Sequence, residues 1–320
     1  ENISHSFTDK VLLDDTSFFI QENDKIGIIG INGTGKSTLL KIIAGVEEPQ
    51  QGTVTKANGT VISFLSQHPI FSEDETVIEH VLKNNTEKNH AWDIETQAKS
   101  LLTKFGLTDF NQKLSELSGG QKKRVSLISV LVSPADILVL DEPTNHLDSE
   151  MAEYLEEYLK AFKGALVMVT HDRYFLDSVT NRIVEIDKGK LYRYDTNYSG
   201  FLALKAEREE MAMASDRKRK SILRTELKWI QRGALARSTK QKARIERYEE
   251  MKSQKDFKTD ETVKIGSVAS RLGKTIIELE NVSKSYGEKQ LFSDFSYIFL
   301  KGDRIGFIGK NGCGKTTLMK

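Results

Sequence analysis

The run Gly30-Ile31-Asn32-Gly33-Thr34-Gly35-Lys36-Ser37 constrains this 320-residue chain more than any other stretch. It fits G-x-x-x-x-G-K-[ST], whose glycines let the backbone wrap a phosphate and aim N–H groups at its oxygens. The apolar run Ile26-Gly27-Ile28-Ile29 before it reads as a buried strand. Thr38-Leu39-Leu40-Lys41-Ile42-Ile43 after it has helical spacing. Strand, glycine loop and helix start together make an anion site at a helix N-terminus. Gly30, Asn32, Gly33, Gly35, Lys36, Ser37 and Thr38 are therefore expected to bind ATP, with Lys36 on the β- and γ-phosphates and Ser37 on Mg²⁺. The fold class expected is α/β, a P-loop NTPase with a mixed or parallel sheet.

Further polar residues fall at the ends of apolar runs. Thr60–Leu65 reads as a strand that ends at Ser66-Gln67, which places Gln67 to contact Mg²⁺ and the attacking water. Ile137-Leu138-Val139-Leu140 is fully apolar, as a central parallel strand is, and ends in Asp141-Glu142. Two adjacent carboxylates there cost stability unless a metal and hydrogen bonds compensate. Asp141 is assigned to Mg²⁺ and Glu142 to activation of water against the γ-phosphate. Ala165–Thr170 is another buried strand, and His171 at its end is placed to reach the γ-phosphate side. Open α/β sheets bind ligands at such strand ends. Between them, Leu117-Ser118-Gly119-Gly120-Gln121 opens a long helix. Ser118 is a good N-cap, and Gly119, Gly120 and Gln121 expose backbone amides, a second anion-binding helix start without a lysine.

The opening of the chain is repeated. Residues 2–41 overlay residues 281–320 without a gap, and Gly309-Lys310-Asn311-Gly312-Cys313-Gly314-Lys315-Thr316 is a second phosphate loop. Gly309, Asn311, Gly312, Gly314, Lys315, Thr316 and Thr317 are its expected ATP ligands, with Thr316 on Mg²⁺. Phe7 and Tyr286 are equivalent aromatics, each either an adenine-stacking partner or a core residue. Tyr286, in the turn-like Lys-Ser-Tyr-Gly, favours stacking. The chain begins at Glu1 and stops at Lys320 in the opening turns of a helix, so the expected domains are 1–198, an ATP-binding domain with a helical subdomain at about 72–135; 199–274, a linker; and 275–320, the truncated start of a second ATP-binding domain.

Charge singles out the linker. The chain carries a net charge of +1, yet residues 217–247 hold twelve lysines and arginines against two glutamates, which leaves −9 on the remainder. The basic residues are Arg217, Lys218, Arg219, Lys220, Arg224, Lys228, Arg232, Arg237, Lys240, Lys242, Arg244 and Arg247. A solvated helix face mixes signs, so this bias points to phosphate contacts, with RNA the expected partner and DNA the alternative. The pattern from Phe201 to Trp229 and from Gln241 to Met251 is that of a helical hairpin. One cysteine, Cys313, excludes an internal disulfide and fits a reducing compartment. No apolar run approaches the ~18 residues of a membrane span, so a cytoplasmic location without a membrane partner is expected.

The ordered set of phosphate loop, Gln67, Leu117–Gln121, Ile137–Glu142 and His171 resembles that of ABC-type ATPases. Asp141-Glu142-Pro143-Thr144-Asn145-His146-Leu147-Asp148 is similar to the soluble ABC-F branch, and Ala236–Ile245 to the linker of its Uup-type subgroup. The resemblance implies an ATPase that acts on ribosomes, contacts tRNA and rRNA through the linker, and regulates or rescues stalled translation. It also implies that two ABC domains pair head to tail, each nucleotide lying between one phosphate loop and the other domain's Ser-Gly-Gly-Gln. A fragment with only one such segment is expected to hydrolyse ATP weakly unless it self-associates. Two departures qualify the likeness: the truncation, and a short polar junction at 81–93 where the family commonly carries a helical arm. The alternative functions are a ribosome-protecting antibiotic-resistance factor, against which the short hairpin counts, and a DNA-binding ATPase.

Overall fold

The structure, a computed structural model, describes the chain except for residues 8–9, 70, 73, 84–90, 232–238, 254–274, 288 and 310–311; for 91–93, 228–231, 239–245, 275–276 and 289 it describes the backbone alone. Contacts divide it into two units, residues 1–198 with 272–320, and residues 199–271.

The first unit opens with an antiparallel pair, β1 (Ile3–Phe7) and β2 (Lys10–Thr16). There follow β3 (Lys25–Gly30), α1 (Lys36–Ala44), β4 (Ile62–Leu65), α2 (Val77–Leu82), α3 (Ala91–Lys104) and α4 (Gly119–Val132). The chain continues through β5 (Ile137–Asp141), α5 (Ser149–Ala161), β6 (Ala165–Val169), α6 (Arg173–Val179), β7 (Arg182–Asp187) and β8 (Lys190–Tyr194). One six-stranded sheet runs in the order β4-β5-β6-β3-β7-β8, parallel except for β8.

The apolar runs occupy the middle of this sheet because both of its faces are covered. Side chains alternate across it. Ile26, Ile28, Val139, Val167 and Val169 face Leu39, Leu40 and Ile42 of α1. Leu138, Leu140, Leu166 and Met168 join the opposite core with α4, α5 and α6. Residues 125–132 of α4 are all buried, as its mostly apolar second half requires, while Gln121–Arg124 keep the first half polar. With five strands parallel, the carboxyl ends of β3, β4, β5 and β6 lie along one edge, which is where Gly30, Gln67, Asp141 and His171 follow.

The repeat is structural as well as sequential. β9 (Thr275–Tyr286) pairs antiparallel with β10 (Lys289–Leu300). The Ser17 hydroxyl accepts the Asn2 amide at 3.0 Å, and Ser296 accepts Asn281 at 2.8 Å. Ser4 accepts the Asp15 amide, and Ser283 the Asp294 amide, both at 3.0 Å. The segment that corresponds to β3 does not pair. Ile305 and Ile308 are 39% and 93% exposed, whereas Ile26 is fully buried. Among the described residues there is one copy of β6 and β7, the neighbours that pair with β3.

The second unit begins with α7 (Tyr198–Gln231), 34 residues and so about 51 Å long, followed by α8 (Thr239–Ser253). Arg219 Nη1 donates to the Met251 carbonyl at 3.4 Å and joins the two helices. No described helix is long and apolar enough to cross a membrane.

Candidate active site

β3 ends at Gly30 and the chain turns through the glycine loop into α1. Gly35 has φ of 100°, and a Cβ there would lie 3.0 Å from Cβ of Leu12, so both backbone and space require glycine. Gly35 is the N-cap of α1, with no side-chain cap and no acid in the first turn. The amides of Lys36, Ser37 and Thr38 thus open the helix without a side-chain acceptor, the arrangement that receives an anion. The Lys36 ammonium lies over the loop, donating to the Gly30 carbonyl at 2.8 Å and the Ile31 carbonyl at 3.2 Å. Asn32 Oδ1 is 3.4 Å away.

Asp141 and Glu142 are buried, 4% and 9% exposed. Burial pushes both carboxyls above the usual range. The Ser37 hydroxyl and the charges of Lys36, Lys41 and His68 pull Asp141 back, while His171 pulls Glu142 back. Burial also lowers Lys36, and the two carboxylates oppose that shift. Glu142 has φ of 54°, a sparsely populated conformation for a side-chain-bearing residue. It is held by its amide, which donates to the Val169 carbonyl at 2.8 Å. Its carboxylate accepts the His171 amide at 3.3 Å, with His171 Nε2 at 3.5 Å. Thr144 and Thr170 hydroxyls, 3.0 Å apart, tie the loops that follow β5 and β6.

Phe7, Asn32, Lys36, Ser37, Thr38, Gln67, Asp141, Glu142 and His171 line one open cleft of about 600 Å³. That size is within the range of small-molecule sites. Phe7 is 73% exposed on the cleft wall and outside the core. Among the described residues no group of three or more His, Cys, Asp or Glu could hold a metal. The donors on this edge, Ser37, Gln67 and Asp141, are few and oxygen-bearing. That set suits Mg²⁺, which enters with phosphate oxygens and keeps much of its water. The raised carboxyls are also what such a cation would relieve.

Other expected ligands are placed elsewhere. Ser118, Gly119, Gly120 and Gln121 do not line the Lys36 cleft. Ser118 and Gln121 form a capping box: the Ser118 hydroxyl accepts the Gln121 amide at 3.3 Å, and the Gln121 side chain accepts the Ser118 amide at 3.0 Å. Gln121 thus caps its own helix, and the spacing Ser118-x-x-Gln121 is the signal for that. In the second loop Gly312 and Gly314 have φ of 76° and 100°, against 77° and 100° at Gly33 and Gly35. Lys315 donates to the Gly309 carbonyl as Lys36 does to Gly30. Thr316 and Thr317 lie on α9 (Lys315–Met319), and Asn311 is outside the described residues. Tyr286 is 61% exposed, with the Lys284 ammonium 5.3 Å from its ring centre.

The basic hairpin is less uniform than its sequence. Asp216, one residue before the counted stretch, pairs with Arg219 at 2.6 Å and Lys220 at 2.8 Å. Arg219 is a clamp of the hairpin, half neutralised and turned inward. Arg217, Lys218, Arg224 and Arg247 are exposed. Arg232 and Arg237, and the side chains of Lys228, Lys240, Lys242 and Arg244, lie outside the described residues. Sequence reasoning passed over Lys10 and Leu12, which also line the cleft. The antiparallel pairing of β2 with β1 sets them beside Phe7.

The family described as ABC transporter matches residues 13–145, and a second one of the same description, an extension, matches 184–265. YfmR of Bacillus subtilis (strain 168), an uncharacterized ABC transporter ATP-binding protein, is 45% identical across 100% of this chain and 56% of its own length. The energy-dependent translational throttle protein EttA of Mycobacterium tuberculosis (strain CDC 1551 / Oshkosh) is 38% identical across 98% of this chain and 62% of its own. The chain thus spans 56–62% of these two curated relatives. Among solved structures, the ATP-binding subunit of an ABC transporter shares the fold at a TM-score of 0.56 and 23% identity, over 61% of this chain and 88% of the other. The bacterial ABC transporter cassette MJ0796 does so at 0.53 and 24%, over 61% and 97%. With the cleft, the sheet and these likenesses together, the chain carries an ABC-type ATPase domain followed by its characteristic extension, and is homologous to YfmR and EttA.

Proposed function

We propose that this chain is the ATP-binding and hydrolysing part of an ABC-F protein of the Uup type that works on the ribosome in the cytoplasm, its helical linker meeting tRNA or rRNA. The observation that carries the reading is the meeting of Lys36, Asp141, Glu142 and His171 in one cleft, in a chain homologous to a translational throttle protein. Lys36 and the first-turn amides of α1 bind the β- and γ-phosphates. Phe7 stacks on the base. Mg²⁺, where Ser37, Asp141 and Gln67 would hold it, supplies positive charge against the phosphate oxygens. Glu142 accepts a proton from the attacking water, its carboxylate fixed by the His171 amide. His171 lies beside that carboxylate and orients the water's side of the site.

The domains proposed are 1–198, 199–274 and the start of a second ABC domain at 275–320. In that arrangement Ser118–Gln121 belongs to the nucleotide held by the second loop, which explains why it lies off the Lys36 cleft. Slow turnover by the isolated chain follows. The YfmR alignment runs over 355 positions, 35 more than this chain has residues.

The test is Glu142→Gln in a protein with both ABC domains. It should bind ATP, hydrolyse it at least about 100-fold more slowly, and co-sediment with ribosomes only when ATP is present. Hydrolysis at the parent rate would remove Glu142 from this role, and ATP-independent sedimentation would remove the nucleotide's control.

A further inference from the structure

The β1–β2 hairpin puts a lysine where the motif has none. Phe7 and Lys10 are register partners, and both line the cleft. Directly opposed residues of an antiparallel pair present their side chains to the same face. The Lys10 ammonium donates to the Gly33 carbonyl at 2.7 Å, a polar bond from β2 to the phosphate loop. The repeat has the same arrangement in its backbone, where Lys289 is the register partner of Tyr286. The two cleft lysines stand at different stations. Lys36 is close enough to Asp141 and Glu142 for their charges to act on it. Lys10 shares the Phe7 end, and among the described residues it forms no ion pair with a carboxylate.

We propose that Lys10 is a second cation of the nucleotide site, which binds the phosphate nearest the sugar and couples the aromatic platform to the loop. This rests on the nucleotide reading above. A nucleotide with its base on Phe7 and its terminal phosphate at Lys36 must pass its first phosphates by Lys10. The ammonium then exchanges a neutral carbonyl for an anionic oxygen, and a charge-assisted hydrogen bond is the stronger of the two.

The ligand end at Lys10 is common to ADP and ATP, which gives the test. Calorimetric titration of the 320-residue chain with ADP and with ATP should show Lys10→Met weakening both by the same factor, about 10-fold. Lys10→Gln keeps an N–H donor, one atom shorter than the lysine, but not the charge, and should lose as much. Lys10→Arg should stay within about threefold of the parent. Lys10→Gln binding like the parent would leave only a strut and overturn the proposal. So would a loss confined to ATP, which would put the ammonium at the terminal phosphate. No binding by the parent chain would overturn the nucleotide reading itself, and is thereby told apart from a failure of Lys10 alone.

Discussion

Glu142 carries the tension of the site: a buried carboxylate, a left-handed backbone and a second carboxylate beside it. Its carboxyl and that of Asp141 titrate above their ordinary 4.5 and 3.8 in the folded chain, chiefly through burial. A carboxyl raised by folding keeps a proton that the unfolded chain has released. Its stabilising contribution is complete below the ordinary value and is lost as the pH climbs through the raised one. Without nucleotide and magnesium, Glu142→Gln should therefore match the parent's melting temperature near pH 4 and exceed it at neutral pH. Scanning calorimetry in EDTA reads the difference directly, and a parent that is the more stable of the two at neutral pH would contradict it. That Lys36, Asp141 and Glu142 would share one cleft was legible because each ends a strand or opens a helix in a local pattern. The bond from the His171 amide to Glu142 was not. It joins residues 29 positions apart, and only the parallel register of β5 and β6 brings them together.

At the scale of elements, continuous apolar runs announced β3, β5 and β6, since a strand covered on both faces has no polar side to alternate with. β1 and β2 gave a weaker signal, being short and half exposed, and with them Lys10 and Leu12 went unread. Helix starts were legible in kind but not in use. Ser118 was readable as a cap, while the reciprocal bond, in which the Ser118 amide donates to the Gln121 side chain, was not read and makes both residues a capping box. Ser118→Ala should then destabilise the domain by about 1 kcal/mol even without ligand. Urea denaturation would show this as a lower midpoint at unchanged slope, and an unchanged midpoint would contradict a stabilising cap at Ser118. α7 teaches the same point for charge. A composition count treats twelve basic residues alike, while one aspartate placed a turn away removes Arg219 from the exposed face.

Across the whole molecule the charge is uneven: residues 217–247 carry +10 and the remainder −9, with Asp141 and Glu142 buried in the first unit's cleft. Phosphate contacts by the helices have a measurable signature, because each neutralised phosphate releases counterions. The exposed Arg217, Lys218 and Arg224 and the inward Arg219 make opposite predictions from one helix. Changing the first three together to glutamine should weaken binding to structured RNA and reduce the slope of log K against log salt by about 2, since each contact contributes ~0.7–0.9. Arg219→Gln should leave that slope where it was and instead lower the thermal stability of the hairpin, because it breaks the bond to the Met251 carbonyl and leaves Asp216 with Lys220 alone. Filter-binding titrations at four salt concentrations, paired with melting curves, separate the two. If Arg219→Gln moved the slope and the triple variant did not, the inward clamp rather than the exposed row would be the part that touches RNA.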